Sequence, residues 1–525
     1  MRSALALLLL VAAPASGAPG ERIHRLNDLL HEWRLGEATS ELALLARERP
    51  GDAETAFLDG HLRFLRGDYP GALERLKTAL DKGRGRGDLD DWRFLRELVA
   101  TTEEATRGFV EVRSPEGHFV IRHAPGRDGI LPAYAFEALE AAYREIAQRD
   151  FGDAPSEPVR VEIFPEVADL ARVSTLTRKE IETSGTIAIC KWNRLMIVSP
   201  RALARGYPWL DTLAHELTHF VVTRTSRNRV PIWLHEGLAK FEEERWRRAE
   251  PSPLSPTSEH ILAVALKRGG RLISFAEMHP SMAKLPSQAD TALAFAEVQS
   301  AVAYLHERVG WSGVREIVAR LREGRSEGAA VAAALGGSFA DFERDFRTWL
   351  RGRKLRERPG LLPPSLKFIK AGAKARSDED DAQEITEERA RRFARLGGLL
   401  RARGRLGPAA VEYEKAQALL GPGHPAVAGK LARTYLELGD ADRAIAAAEP
   451  GAELYPDHGA FHTTLGAAWL KKRRPDRAIP ALEAALRINP FDPSPHCALA
   501  GLYGERSDPR AGREREACRA LAQEP

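Results

Sequence analysis

Leu213-Ala-His-Glu-Leu-Thr-His-Phe220 is the stretch on which the reading of this chain turns. No Gly or Pro interrupts it, and Leu210, Leu213, Leu217 and Phe220 recur at the spacing of a helix with one apolar face. On that helix His215 and His219 lie one turn apart on the same side, close enough to bind one ion. Glu216 sits about 100° further round the axis. It is therefore badly placed as a third ligand of that ion and well placed to take a proton from a water beside it.

A histidine pair on a surface helix can be incidental, so the reading needs a third ligand. Zinc held by two His takes one more protein donor and keeps a position open for water. The next segment, Val230-Pro-Ile-Trp-Leu-His-Glu-Gly-Leu-Ala-Lys-Phe241, supplies a donor. Pro231 can open a helix, and Glu236 falls inside it, 17 residues after His219 (236 − 219). A short connection returns this helix antiparallel to the first, so Glu236 can complete a His, His, Glu site. His235 is the alternative ligand, but it points to another side of the helix. The division of labour is that of the H-E-x-x-H zinc peptidases, with Glu216 as the general base.

Around this pair, roughly Gly108 to Gly352 reads as α+β. His118 to His123 alternates like a strand, a helix is predicted from about Ala133 to Arg149, and Val159 to Phe164 is a second strand. Thr186 to Cys190 and Arg194 to Val198 form a hairpin across Trp192-Asn193, and helices dominate after Trp209. Glu250 to Pro256 is a surface loop. Arg358 to about Glu388, with Pro363-Pro364 and the solvated acidic run Asp378 to Asp381, links this domain to the C-terminal segment, the linker as a whole being placed at 353–388.

From about Arg391 the chain repeats itself. Pro422, Pro456 and Pro490 are spaced by 34 (456 − 422; 490 − 456), and Ala409, Ala444 and Ala478 hold matching places ahead of them. Small residues let paired helices approach, and the Pro stops the second helix of each pair. The period and landmarks resemble tetratricopeptide repeats, which implies three to four units within 389–525. Residues 21–106 echo the pattern: Gly67-Asp68 precedes Ala72 as Gly439-Asp440 precedes Ala444, so helical hairpins of the same kind are expected there.

Composition bounds the rest. The 525 residues imply more than one domain. With 43% hydrophobic and 29% charged residues and a net charge of +4, nothing points to nucleic acid. Arg2 followed by the apolar run Ala4 to Ala13 and by Ala13-Pro-Ala15 reads as a signal peptide cleaved after Ala15. The run is too short for a spanning helix. The mature chain is expected to be exported, periplasmic or extracellular, with no transmembrane segment. Cys190, Cys497 and Cys518 form no zinc knuckle; Cys497 and Cys518 either pair across a helical hairpin or stay as buried thiols.

His215-Glu216-Leu-Thr-His219 followed by Pro231-Ile-Trp-Leu-His-Glu236-Gly-Leu-Ala resembles the peptidase MA-like family of gluzincins, over roughly His118 to Leu350 and including Ala294-Phe-Ala-Glu297 and Ala303-Tyr-Leu-His-Glu-Arg-Val-Gly310. The resemblance implies an α+β zincin-like catalytic domain flanked by all-α tetratricopeptide-like repeats. It implies Zn2+ on His215, His219 and Glu236, Glu216 as base, a peptide or protein substrate, and a protein partner on the repeats. It also implies an edge strand that holds an extended peptide, here Thr186 to Val198. Two positions depart from the family. Phe295 stands where relatives often carry a tyrosine, so Tyr304 or His306 is considered for steadying the intermediate. Lys240 stands four residues after Glu236 where a thermolysin-type acid would be, so Asp211 is considered for supporting His215. Two rival readings share these residues: an inactive peptidase-like scaffold, and a zinc amidase acting on cell-wall crosslinks.

Overall fold

The computed structural model describes residues 18–84, 87, 89–267, 271–358, 361, 362, 368 and 385–522. The signal-peptide reading at 1–15 and most of the linker lie outside them.

Five helices come first: α1 (Ala18–His31), α2 (Leu35–Glu48), α3 (Ala53–Arg66), α4 (Tyr69–Lys82) and α5 (Asp90–Ala105). Asp52 caps α3 by accepting from Thr55 N, and Gly67, at φ +79°, ends it in the left-handed conformation that glycine tolerates. Asp68 then caps α4 by accepting from Gly71 N. Within α3–α4 the helices touch where Gly60 faces Leu76, so close that a Cβ on Gly60 would lie 2.7 Å from Leu76 Cγ.

The central domain is built on β1 (Val110–Arg113), β2 (Phe119–His123), α6 (Leu131–Ala142), β3 (Val159–Phe164), α7 (Val167–Ser174), α8 (Arg178–Ser184), β4 (Ala188–Lys191) and β5 (Arg194–Val198). The strands form one mixed sheet in the order β1-β2-β3-β5-β4. β2–β3 and β3–β5 run parallel, while β1–β2 and β4–β5 are antiparallel. Every residue of β5 is buried, as expected of an inner strand covered on both faces. Trp192 and Asn193, both at positive φ, make the tight turn between β4 and β5. That turn leaves β4 as a sheet edge. β1 has little signature in the sequence, because its Val-Glu-Val-Arg run is short and largely exposed. The helix predicted from Ala133 runs on as a π-helix over Tyr143–Phe151.

Helices α9 (Trp209–Ser226), α10 (Ile232–Glu242), α11 (Pro256–Lys267), α12 (Gln288–Arg322), α13 (Glu327–Leu335) and α14 (Phe339–Gly352) complete this domain. α9 lies against the sheet, α6, α10 and α12, and buries Leu213, Leu217 and Phe220. α12 kinks at Gly310.

The C-terminal array is α15 (Glu388–Ala402), α16 (Leu406–Leu420), α17 (Pro425–Glu437), α18 (Ala441–Leu454), α19 (Gly459–Lys471), α20 (Pro475–Ile488), α21 (Pro493–Glu505) and α22 (Ala511–Ala522). Ala409, Ala444 and Ala478 are fully buried on α16, α18 and α20, and Pro422, Pro456 and Pro490 come just after the ends of those helices. Cys497 and Cys518 are disulfide-bonded between α21 and α22. The architecture is thus a mixed sheet with helices, flanked by repeat-like helical hairpins. No helix among the described residues is long and apolar enough to cross a membrane.

Both flanks are fastened to the centre. Tyr69 OH donates to Glu162 Oε1 at 2.5 Å, and Arg194 Nη1 donates to Tyr69 OH at 2.8 Å. On the other side Tyr207 N donates to Ile488 O at 3.0 Å, and Tyr134 OH donates to Glu514 Oε2 at 2.8 Å.

Candidate metal centre

α9 and α10 bring the expected donors together. His215 Nε2 and His219 Nε2 lie 3.1 Å apart. Glu236 Oε2 is 3.6 Å from the first and 3.3 Å from the second. Glu216, 4% exposed, completes a cluster in which one donor atom from each of His215, Glu216 and His219 lies within 4.8 Å of the others.

Packing forces the two helices this close. Gly237, beside Glu236, lies against α12, and a Cβ there would stand 2.6 Å from Val298 O. Glycine at 237 therefore lets α10 settle between α9 and α12 with Glu236 turned to the histidines. Trp233 and Leu234 anchor the same helix in the core.

The acidic groups around the histidines favour positive charge at this point. Burial opposes charge on His215, but hydrogen bonding to Glu236 and Glu243 outweighs it and raises the imidazole to about 9. Burial likewise opposes the Glu236 carboxylate, yet His219 and His215 hold it well below the usual carboxylate range. Burial pushes the Glu216 carboxyl up, and His219 and His215 pull it only part of the way back. Glu216 Oε2 and His219 Nδ1 are buried without a protein hydrogen-bond partner. Two imidazole nitrogens and a carboxylate oxygen converging in a negatively biased pocket fit a divalent ion of the zinc type.

His235 takes the other side of α10. Its ring stacks on His219 at 4.5 Å between centroids and 10° between planes, and its Nε2 is 3.2 Å from Thr223 Oγ1. Burial, aided by His219, lowers its pKa to about 3, so it is neutral. It braces the His219 ring and leaves Glu236 to face the imidazole pair.

The three supporting residues considered from sequence are used elsewhere. Asp211 Oδ1 accepts from Trp246 Nε1 at 2.7 Å and Arg247 Nε at 2.9 Å, so its charge is committed to the turn after α10 and not to His215. Tyr304 is buried among Phe342, Phe346 and Trp349, a core position. His306 packs between Phe241 and Trp311. Phe295 is partly buried against the core.

What sequence reasoning missed is Glu243, whose Oε2 lies 3.6 Å from His215 Nδ1. Lys240 Nζ donates to both Glu243 oxygens at 2.6 and 2.7 Å. A carboxylate two helical turns beyond Glu236 was the available signal. Asp457, in the turn between α18 and α19, also lies near enough for its charge to act on Lys240, so the C-terminal repeats reach the outer side of the site.

Two family models match parts of the chain. Residues 141–352, which contain all three donors, match the Peptidase MA superfamily, and residues 430–493 match the tetratricopeptide repeat. No curated protein matches the sequence. Among solved structures the chain is similar to a thermophilic TPR protein of Thermus thermophilus, at 24% identity over 25% of this chain and 74% of that one, with a TM-score of 0.23. It is also similar to yeast Tom70, at 11% identity over 97% of this chain and 86% of that one, with a TM-score of 0.24.

Proposed function

We propose that the chain is an exported zinc metallopeptidase whose repeats bind a protein partner or substrate. The observation that carries this reading is the convergence of His215, His219 and Glu236 from two helices, with the buried carboxylate of Glu216 beside them. His215, His219 and Glu236 would hold the ion. When bound, zinc supplies a Lewis acid and lowers the pKa of water at its open position.

The remaining steps belong to the chain's own residues. Glu216, with its carboxyl pushed up by burial, accepts a proton from the attacking water and passes it to the leaving amine. β4, an edge strand packed beside α9, offers its outer edge to an extended peptide as an added strand, and the Cys190 backbone there already meets the Glu216 carboxyl. The disulfide between Cys497 and Cys518 supports export, since such bonds persist in oxidising compartments.

A second reading, an inactive scaffold, is favoured by Phe295 in place of a hydroxyl-bearing side chain. One experiment separates the two. Zinc content is measured for wild type, His219→Ala and Glu236→Ala, and hydrolysis of a peptide library for wild type and Glu216→Gln. The peptidase reading expects one zinc per wild-type chain, loss of metal in both ligand variants, and a fall of about 10²- to 10⁴-fold in Glu216→Gln with metal retained. Stoichiometric zinc without any cleavage gives the scaffold; no zinc at all ends the peptidase reading.

A further inference from the structure

His215 points Nε2 toward His219 and Glu236 and leaves Nδ1 to face away from them. At that outward nitrogen stands Glu243, with Oε2 at an ion-pair separation of 3.6 Å. Glu243 comes seven residues after Glu236 (243 − 236), two helical turns, so one side of α10 and its C-terminal end presents both carboxylates. The first meets the inner nitrogen of His215 and the second meets the outer one.

A glutamate side chain has several rotors, and its hold on an imidazole is only as firm as its own anchoring. Lys240 provides the anchor. It lies between the two acids in sequence and donates to both oxygens of Glu243. Glu243 is only about one-fifth exposed, as is usual for a held group rather than a swinging surface acid. His219 is held by a different device. Its Nδ1 has no protein partner, and its ring is fixed by stacking on His235. Orientation by a carboxylate is thus available to one histidine of the pair.

We infer that Glu243 is a positioning residue that fixes the ring and tautomer of His215 for the metal, and that Lys240 locks Glu243 in place. An imidazole whose outer N–H meets a carboxylate is held in one orientation and is a stronger donor at its inner nitrogen. Lys240 therefore recruits an acid one turn later instead of supplying one itself. The inference rests on the metal reading above and adds to it the residues that set affinity.

The test uses the full chain, stripped of metal and titrated with Zn2+ against a competing chelator. Glu243→Gln, which keeps the shape and removes the charge, should bind Zn2+ about 10- to 100-fold more weakly. Lys240→Met should weaken binding in the same direction by less, and should add nothing when combined with Glu243→Gln. Glu244→Gln, whose partners are Arg247 and Arg248, is the control and should leave affinity unchanged. Under chelation Glu243→Gln should still unfold in one cooperative transition, and with Co2+ the visible absorption of Glu243→Gln should differ from wild type. Wild type binding Zn2+ tightly while Glu243→Gln binds it within about twofold overturns the positioning role alone. Wild type taking up no Zn2+ overturns the metal reading beneath it.

Discussion

In the hairpin α3–α4, Gly60 lies against Leu76; in α19–α20, Gly466 lies against Leu482 at the same separation of 16 residues (76 − 60; 482 − 466). The pair α9–α10 is joined otherwise. Its inner contact is imidazole against carboxylate, with Glu216 Oε2 and His219 Nδ1 left unpaired and buried. Apolar contact between small and large residues favours the folded chain without help. Polar contact with orphaned atoms is costly until something supplies the missing charge. Repeats and centre thus divide the work: the hairpins are packed by apolar contact, and the central pair, on the function proposed above, is completed by a cation.

The largest effect tests the junction between the two kinds of structure. Glu162, fully buried, faces Arg194, Arg160 and Arg122 and accepts from Tyr69 of α4. Glu162→Gln removes the carboxylate that these three guanidinium groups share and should cost about 3–5 kcal/mol in urea unfolding. Burial alone would raise this carboxyl, but Arg194 and Arg160, with Tyr69, hold it below its ordinary value. Its contribution is therefore present above the unfolded carboxylate pKa of about 4.3 and disappears as pH falls through the lower folded value. Glu162→Gln should flatten that acid limb. A variant as stable as wild type with the same acid limb would mean that this cluster does not tie α4 to the sheet.

Metal removal comes next. With free zinc at 100 to 1,000 times its dissociation constant, chelation should lower stability by about 2.7–4.1 kcal/mol. Fragments cut by limited proteolysis should show α9 and α10 opening before the repeats. Equal loss of protection in α19–α20 would break the contrast between a self-sufficient hairpin and a pair proposed to hold a cation.

Legibility in the sequence divides along the same line. His215, Glu216 and His219 are legible because one helical turn fixes their relation. Glu236 is legible because Pro231 marks where the next helix begins. The 34-residue period shows the C-terminal hairpins, since each repeats one local solution. Glu243 and Lys240 were not legible, because their value lies in a contact from α10 back to α9 that no local rule dictates. Asp211 failed for a related reason: its place on α9 is right for a supporting acid, but Arg247 arrives from the turn after α10 and claims it. Tyr304 carries a useful hydroxyl, yet the aromatic residues of α14 enclose it, and only the fold puts them there.

A smaller effect asks whether the two hairpins are the same device. A Cβ on Gly466 would stand 2.5 Å from Leu482 Cδ2, and on Gly60 2.9 Å from Leu76 Cδ2. Gly466→Val and Gly60→Val should each cost about 1–3 kcal/mol by overpacking. Similar losses measured by thermal unfolding would support one packing rule at both ends of the chain. A neutral Gly60→Val would leave the N-terminal hairpin a helix pair of another kind.

The smallest effect separates the repeats by what surrounds them. Gly67 and Gly439 end α3 and α17 in the left-handed conformation, at φ +79° and +87°. Nothing lies within 4 Å of a Cβ on Gly439, so Gly439→Ala should cost only the backbone strain, about 1 kcal/mol. A Cβ on Gly67 would fall 1.6 Å from the Arg160 guanidinium, so Gly67→Ala carries the same strain and must also push Arg160 off Tyr69. The difference between the two variants therefore measures the docking of α4 on the sheet, apart from the repeat itself. It should vanish when both substitutions are repeated on a Glu162→Gln background, where the Arg160 side chain has already lost the carboxylate that holds it. A difference that survives there would assign the extra cost to crowding at Gly67 and not to the buried charges behind it.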